Sequence, residues 1–96
     1  MPNYFMLLNW TEQGIAKAKA SPKRLDAGRK AFKKMGVEIK DTYLTMGPYD
    51  LVCVIEAPDG QTAAKAILSL GAAGNVRTLT LPAFTEDQYR EIVGSL

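Results

Sequence analysis

Residues 46–57, MGPYDLVCVIEA, decide the fold. The Gly47-Pro48 pair makes a tight turn. Behind it Leu51, Cys53 and Ile55 alternate with Val52 and Val54, so both phases of a strand are apolar. Such a strand is covered on both faces and belongs in the interior of a sheet. Residues 3–10, NYFMLLNW, read the same way, with Tyr4, Met6, Leu8 and Trp10 in one phase and Phe5 and Leu7 in the other. Residues 37–46, VEIKDTYLTM, are wetter: Val37, Ile39 and Tyr43 stand against Glu38, Lys40 and Thr42, the pattern of a sheet edge. Asp41 falls in the apolar phase and marks a bulge or a polar site. Joined by so short a turn, 37–46 and 50–57 make an antiparallel hairpin.

The rest of the chain supplies helices and one more strand. Thr11 can cap a weak helix over 12–20. Ser21 followed by Pro22 signals a second start, a hydroxyl N-cap with proline at the first helical position. A break near 20–22 is therefore expected, then a stronger helix to Met35 with Leu25, Gly28, Phe32 and Met35 on its apolar side and Gly36 as a left-handed stop. Asp59 caps a helix over 61–70, which Gly71 and Gly74 end. Residues 75–84, NVRTLTLPAF, form a strand that Pro82 confines to an edge or ends. Thr85 with Gln88 is a capping box opening a short helix that carries Tyr89, Ile92 and Val93.

The order is βαββαβ plus a terminal helix: an α+β, ferredoxin-like sandwich with a four-stranded antiparallel sheet. Right-handed crossovers place the first and third strands at its centre, which matches the two strands apolar in both phases. Two helices cover one face. The other leaves several of Phe5, Leu7, Val52, Val54, Leu79 and their neighbours in water, or else the equally apolar opposite phase, and an apolar sheet of that size is an interaction surface. A homodimer packed sheet to sheet is the expected solution.

Composition adds mostly exclusions. Ninety-six residues, 47% hydrophobic and 23% charged, suit one domain over 1–96 with a single core. No apolar run is long enough to span a bilayer, and the N-terminus lacks the pattern of a signal peptide. One cysteine cannot form an internal disulfide, which fits a cytoplasmic location. The absence of histidine removes the commonest general base near neutral pH and the commonest nitrogen ligand for metals. The formal charge of +2 hides a basic block: residues 11–34 carry eight lysines and arginines against Glu12 and Asp26. No aromatic side chain interleaves with them except Phe32 on the apolar stripe, so the block reads as a solvated helix face rather than a nucleic-acid platform.

Candidate ligand-binding residues are Trp10, Tyr43, Tyr49, Asp50 and Arg77. Tyr49 and Asp50 stand at the mouth of a central strand, and Arg77 is the one basic residue of its strand. An Asp50–Arg77 pair would orient a polar ligand or lock a dimer seam. Trp10 and Tyr43 offer aromatic walls, with core packing as the plainer alternative. Cys53 lies in a hydrophobic run without a base, which argues against a nucleophile. No glycine pattern cradles a phosphate and no metal-ligand spacing occurs. No cofactor, metal or catalytic residue is expected.

Asn9-Trp10-Thr11 with Gln13-Gly14, Ser21-Pro22 with Arg24, and Leu44 to Asp50 containing Gly47, Tyr49 and Asp50 as G-x-Y-D resemble the small GYD-domain proteins of bacteria and archaea. Glu56-Ala57-Pro58-Asp59, Gly74 to Thr78 and Ala83 to Asp87 extend the likeness over nearly the whole chain. The resemblance implies a dimeric α/β barrel and no particular reaction. The GPYD segment is also similar to the turn in the effector-binding domain of leucine-responsive regulators. A small-molecule-binding or sensing domain acting as a homo-oligomer is the leading expectation. The alternatives are a cofactor-free enzyme of the dimeric α/β-barrel type and a nucleic-acid- or partner-binding module using the basic helix face.

Overall fold

The computed structural model describes residues 1–96. Its strands are β1 (Asn3–Trp10), β2 (Glu38–Leu44), β3 (Leu51–Glu56) and β4 (Val76–Ala83). Its helices are α1 (Glu12–Ala16), α2 (Ser21–Lys34), α3 (Gly60–Ala72) and α4 (Glu86–Gly94), with a single 3₁₀ turn at Ala18–Ala20. The strands form one antiparallel sheet in the order β2-β3-β1-β4, so the two strands apolar in both phases are the central ones. Met6 lies opposite Cys53 and Thr80, and Leu7 opposite Val52 and Leu79. This register gives the sheet two different faces. Met6, Leu8, Ile39, Cys53, Ile55 and Val76 point under the helices and join Phe32, Val37, Ala57, Ala63 and Ala66 in one buried cluster. On the other face no element of the chain lies over Phe5, Leu79 and Leu81, which are exposed.

Both edges of the sheet are irregular. The β2–β3 register slips between Ile39 and Asp41, the bulge anticipated at Asp41. Pro82 sits within β4, opposite Tyr4, on an edge strand as expected.

The first crossover departs from its expected form. The chain breaks at Lys17 (φ −121°, ψ 47°), not at 20–22, and Ser21 is not a cap: its backbone is already helical (φ −55°, ψ −43°). The 3₁₀ turn runs directly into α2, so the donors of its first turn already lie over helical carbonyls and a hydroxyl cap has no vacancy to fill. Thr11 does cap α1, its hydroxyl accepting from the Gly14 amide at 3.1 Å. Gly14 is buried against the α3–β4 connection, where a Cβ would collide with the Asn75 carbonyl oxygen. Thr11 ties the same place down, its amide donating to Asn75 O at 3.0 Å and its hydroxyl to Gly74 O at 2.6 Å.

α3 starts on Asp59, whose carboxylate accepts from the Thr62 amide at 2.8 Å. That hydrogen bond holds the Asp59 carboxyl below its usual range. α4 opens with the anticipated capping box between Thr85 and Gln88. All of α4 is exposed, including Tyr89, Ile92 and Val93 on one side of it. The radius of gyration, 14.3 Å, exceeds the roughly 12–13 Å of a compact chain this long, in keeping with a helix that stands clear of the core. No helix is long and apolar enough to cross a membrane.

Candidate functional site

The G-x-Y-D turn links β2 to β3, and its geometry centres on Asp50. Gly47 has φ +123°, a region that L side chains rarely adopt, so the turn needs glycine there. The Thr45 hydroxyl donates to the Tyr49 carbonyl at 2.6 Å, and the Thr45 amide to the Asp50 carbonyl at 2.8 Å. The Asp50 amide then donates to Leu8 O at 2.9 Å, and its carboxylate Oδ2 accepts from the Trp10 amide at 2.9 Å. Asp50 thereby continues the β1–β3 ladder one step beyond the last strand pair, with a carboxylate in place of a peptide carbonyl. A charged acceptor makes this a stronger bond than a neutral one.

The Asp50–Arg77 pair expected from the sequence is not made within the chain. Arg77 lies opposite Asn9 on the far side of β1, so that strand separates it from Asp50. The ion pairs are instead Lys40–Glu56 and Glu86–Arg90, both at 2.8 Å. In the first, the hydrogen bond holds Glu56 below the usual carboxylate range and Lys40 above the usual ammonium range.

The five candidate residues occupy three places. Trp10 turns under the helices; Tyr43, opposite Val52, and Arg77, adjacent to buried Val76, lie on the open face; Tyr49 and Asp50 form the connecting turn. Cys53 is buried, and burial pushes its thiol pKa up, while the Thr42 hydroxyl 3.4 Å away and Arg29 act in the other direction. It is a core side chain rather than an activated nucleophile. No three His, Cys, Asp or Glu side chains gather into a cluster able to hold a metal. The basic block is exposed at Lys23, Arg29, Lys30, Lys33 and Lys34, and its aromatic member Phe32 is buried.

Sequence reasoning missed a cavity. About 320 Å³ of open space lies between α2, the end of α3 and the helix-covered face of the sheet, with walls that include Leu8, Trp10, Leu25, Cys53 and Leu70. The available signal is the run of small residues Ala27, Gly28 and Ala31 on the wall formed by α2. In the sequence, Gly28 reads only as part of an apolar stripe. Arg24 is the charged residue on the lining.

Element order and sheet topology define the ferredoxin-like class of α+β domains. Within that class the chain belongs to the GYD-domain family, whose pattern matches residues 4–93. It is 36% identical over 84 residues to a Thermus thermophilus protein named glutamine synthetase and cystathionine beta-lyase binding protein, covering 86% of this chain and 88% of that one. A solved structure of a Thermus thermophilus protein superposes with a TM-score of 0.58 at 24% identity, over 88% of this chain and 95% of that one. A feast or famine regulatory protein from M. tuberculosis, solved with L-methionine, gives 0.68 at 14% identity over 88% of this chain. The match takes in 51% of that regulator, and the likeness is one of fold.

Proposed function

We propose that this GYD-domain chain is a small-molecule-binding or sensing module that works as a homo-oligomer, two copies closing their open sheet faces on each other. The observation that carries this reading is the uncovered sheet face itself. Phe5, Leu79 and Leu81 are exposed there, and 12 of the 96 residues are buried in the single chain. The nine-residue α4 adds support, because so short a helix is marginal in water without a packing partner. In such an assembly Tyr43 and Arg77 would face the space between the sheets, with the Tyr49–Asp50 turn at its end. Sedimentation velocity at micromolar concentration tests it. The expected result is a dimer or larger species that Leu79→Glu converts to a folded monomer. A wild-type chain that sediments as a monomer overturns it.

The name of the Thermus relative favours a second reading, a protein-binding module for a metabolic enzyme. The basic face of α2 is the surface this reading would use. Calorimetric titration against purified glutamine synthetase separates the two, since Lys30→Glu with Lys34→Glu should weaken that contact and leave the oligomer intact.

A further inference from the structure

The cavity between the helices is a different place from the open sheet face. The space is a half-open groove rather than a sealed void: Ala27 and Ala31 on its rim are exposed, and Gly28 is half-buried. About 320 Å³ stays unfilled where α2 presents Ala27, Gly28 and Ala31 beside the larger Arg24, Leu25 and Phe32. A Cβ added at Gly28 would meet nothing within 4 Å. The lining is mostly hydrophobic, 13 residues of 18. A few polar groups on an otherwise apolar wall is the composition of small-molecule pockets, whose volumes start near roughly 300 Å³.

One of those polar groups is charged. Arg24 lies on the lining, half-buried, with its guanidinium already fixed: one terminal nitrogen donates to Lys17 O and the other to Gly14 O, both at 3.0 Å. A guanidinium has five N–H donors, so donors remain for a further acceptor. The two bonds to the break at Lys17 and to α1 hold the group in place before any ligand arrives. A cation at the edge of an apolar groove selects an anion with a hydrocarbon body. A cavity of roughly 150 Å³ admits benzene, and twice that volume accepts about ten to twelve non-hydrogen atoms.

We propose that this cavity is a binding site for an apolar monocarboxylate of about ten to twelve non-hydrogen atoms, with its chain against Leu8, Leu25, Cys53 and Leu70 and its carboxylate on Arg24. Trp10, the single tryptophan, lines the same cavity and reports on occupancy.

The probe is octanoate, titrated into the full chain and followed by Trp10 fluorescence and by calorimetry. Saturable binding with a midpoint below about 1 mM is expected. The uncharged 1-octanol should bind at least about tenfold more weakly, which tests the headgroup contact without altering Arg24's hold on α1. Gly28→Leu fills the space from a helix position with no neighbour to strike, and should abolish octanoate binding while thermal stability holds or rises. Ala31→Phe should do the same from the next turn. Absence of any saturable signal by both methods overturns the proposal, as does equal binding of octanol and octanoate. Undiminished octanoate binding by either folded variant overturns it too. A loss of oligomer in Leu79→Glu with octanoate binding retained would leave this site standing and locate it away from the sheet interface.

Discussion

Val54 and Ile55 are neighbours in β3 with nearly the same chemistry and opposite surroundings. Ile55 is 0% exposed beneath the helices, whereas the face that Val54 shares with Phe5 (42% exposed) and Leu81 (45%) meets water in the single chain. Along one strand, identity of residue type therefore says little about which face holds the fold together. The helix-covered face holds the buried cluster; the open face holds apolar area that contributes only when another surface arrives.

The largest expected effect sits on the covered face. Ile55→Ala should destabilise by about 2–5 kcal/mol, the range for a large aliphatic side chain removed from a packed core. Val54→Ala should cost less than about 1.5 kcal/mol in dilute protein, with a melting temperature that becomes sensitive to concentration as copies associate. Equal, concentration-independent losses at the two positions would break the distinction between the faces.

Next comes the end of the sheet, where the two faces meet. Asp50→Ala removes the acceptor of the Trp10 amide and should cost about 1.5–3 kcal/mol, the scale of a hydrogen bond to a charged group. Asp50→Asn keeps an acceptor and should cost less. Because β1 stands between Asp50 and Arg77, a double-mutant cycle on those two in the monomeric Leu79→Glu background should show coupling within about 0.5 kcal/mol. Chemical denaturation of the four variants measures it.

Smaller effects are expected on the helix surface. Lys30→Glu with Lys34→Glu should shift stability by no more than about 0.5 kcal/mol per site, read by thermal melting, because both side chains are exposed. The smallest concerns Lys40 and Glu56. Glu56 has a lowered folded-state pKa, so its contribution is present above the unfolded carboxyl range and disappears as pH falls through the folded value. Lys40 is raised, so its contribution is present below the unfolded lysine value and disappears as pH rises through the folded one. Melting curves of Lys40→Met and wild type should differ slightly near neutrality and converge in acid.

The fold was legible because its main determinants are local. Two strands apolar in both phases have nowhere to go except the centre of the sheet, and the capping residues Thr11, Asp59 and Thr85 each bond where their spacing predicted. The helix break falls elsewhere because Ser21-Pro22 carries a start signal that a preceding 3₁₀ turn makes redundant. The site was less legible. Asp50 and Arg77 have complementary charge and sit at corresponding ends of their strands, but the strand order expected from the sequence already puts β1 between them, and matching their charges overlooked that spacing. Asp50 is satisfied by a backbone amide, and every residue except proline has one. The cavity was invisible for a related reason: empty space belongs to what several elements fail to fill, and Gly28 and Ala31 acquire meaning only beside Leu70 and Trp10.

The irregular edges of the sheet have a consequence for how this chain can meet copies of itself. A regular outer strand is a template on which further strands can add, the route to fibres. On one side β2 is thrown out of register between Ile39 and Asp41; on the other, β4 carries Pro82, which has no amide to offer an incoming strand. Lateral growth is discouraged at both borders while the broad apolar surface is left bare. The proposed pairing of copies would therefore go by stacking, which closes after a set number of copies, rather than by lengthening, which does not.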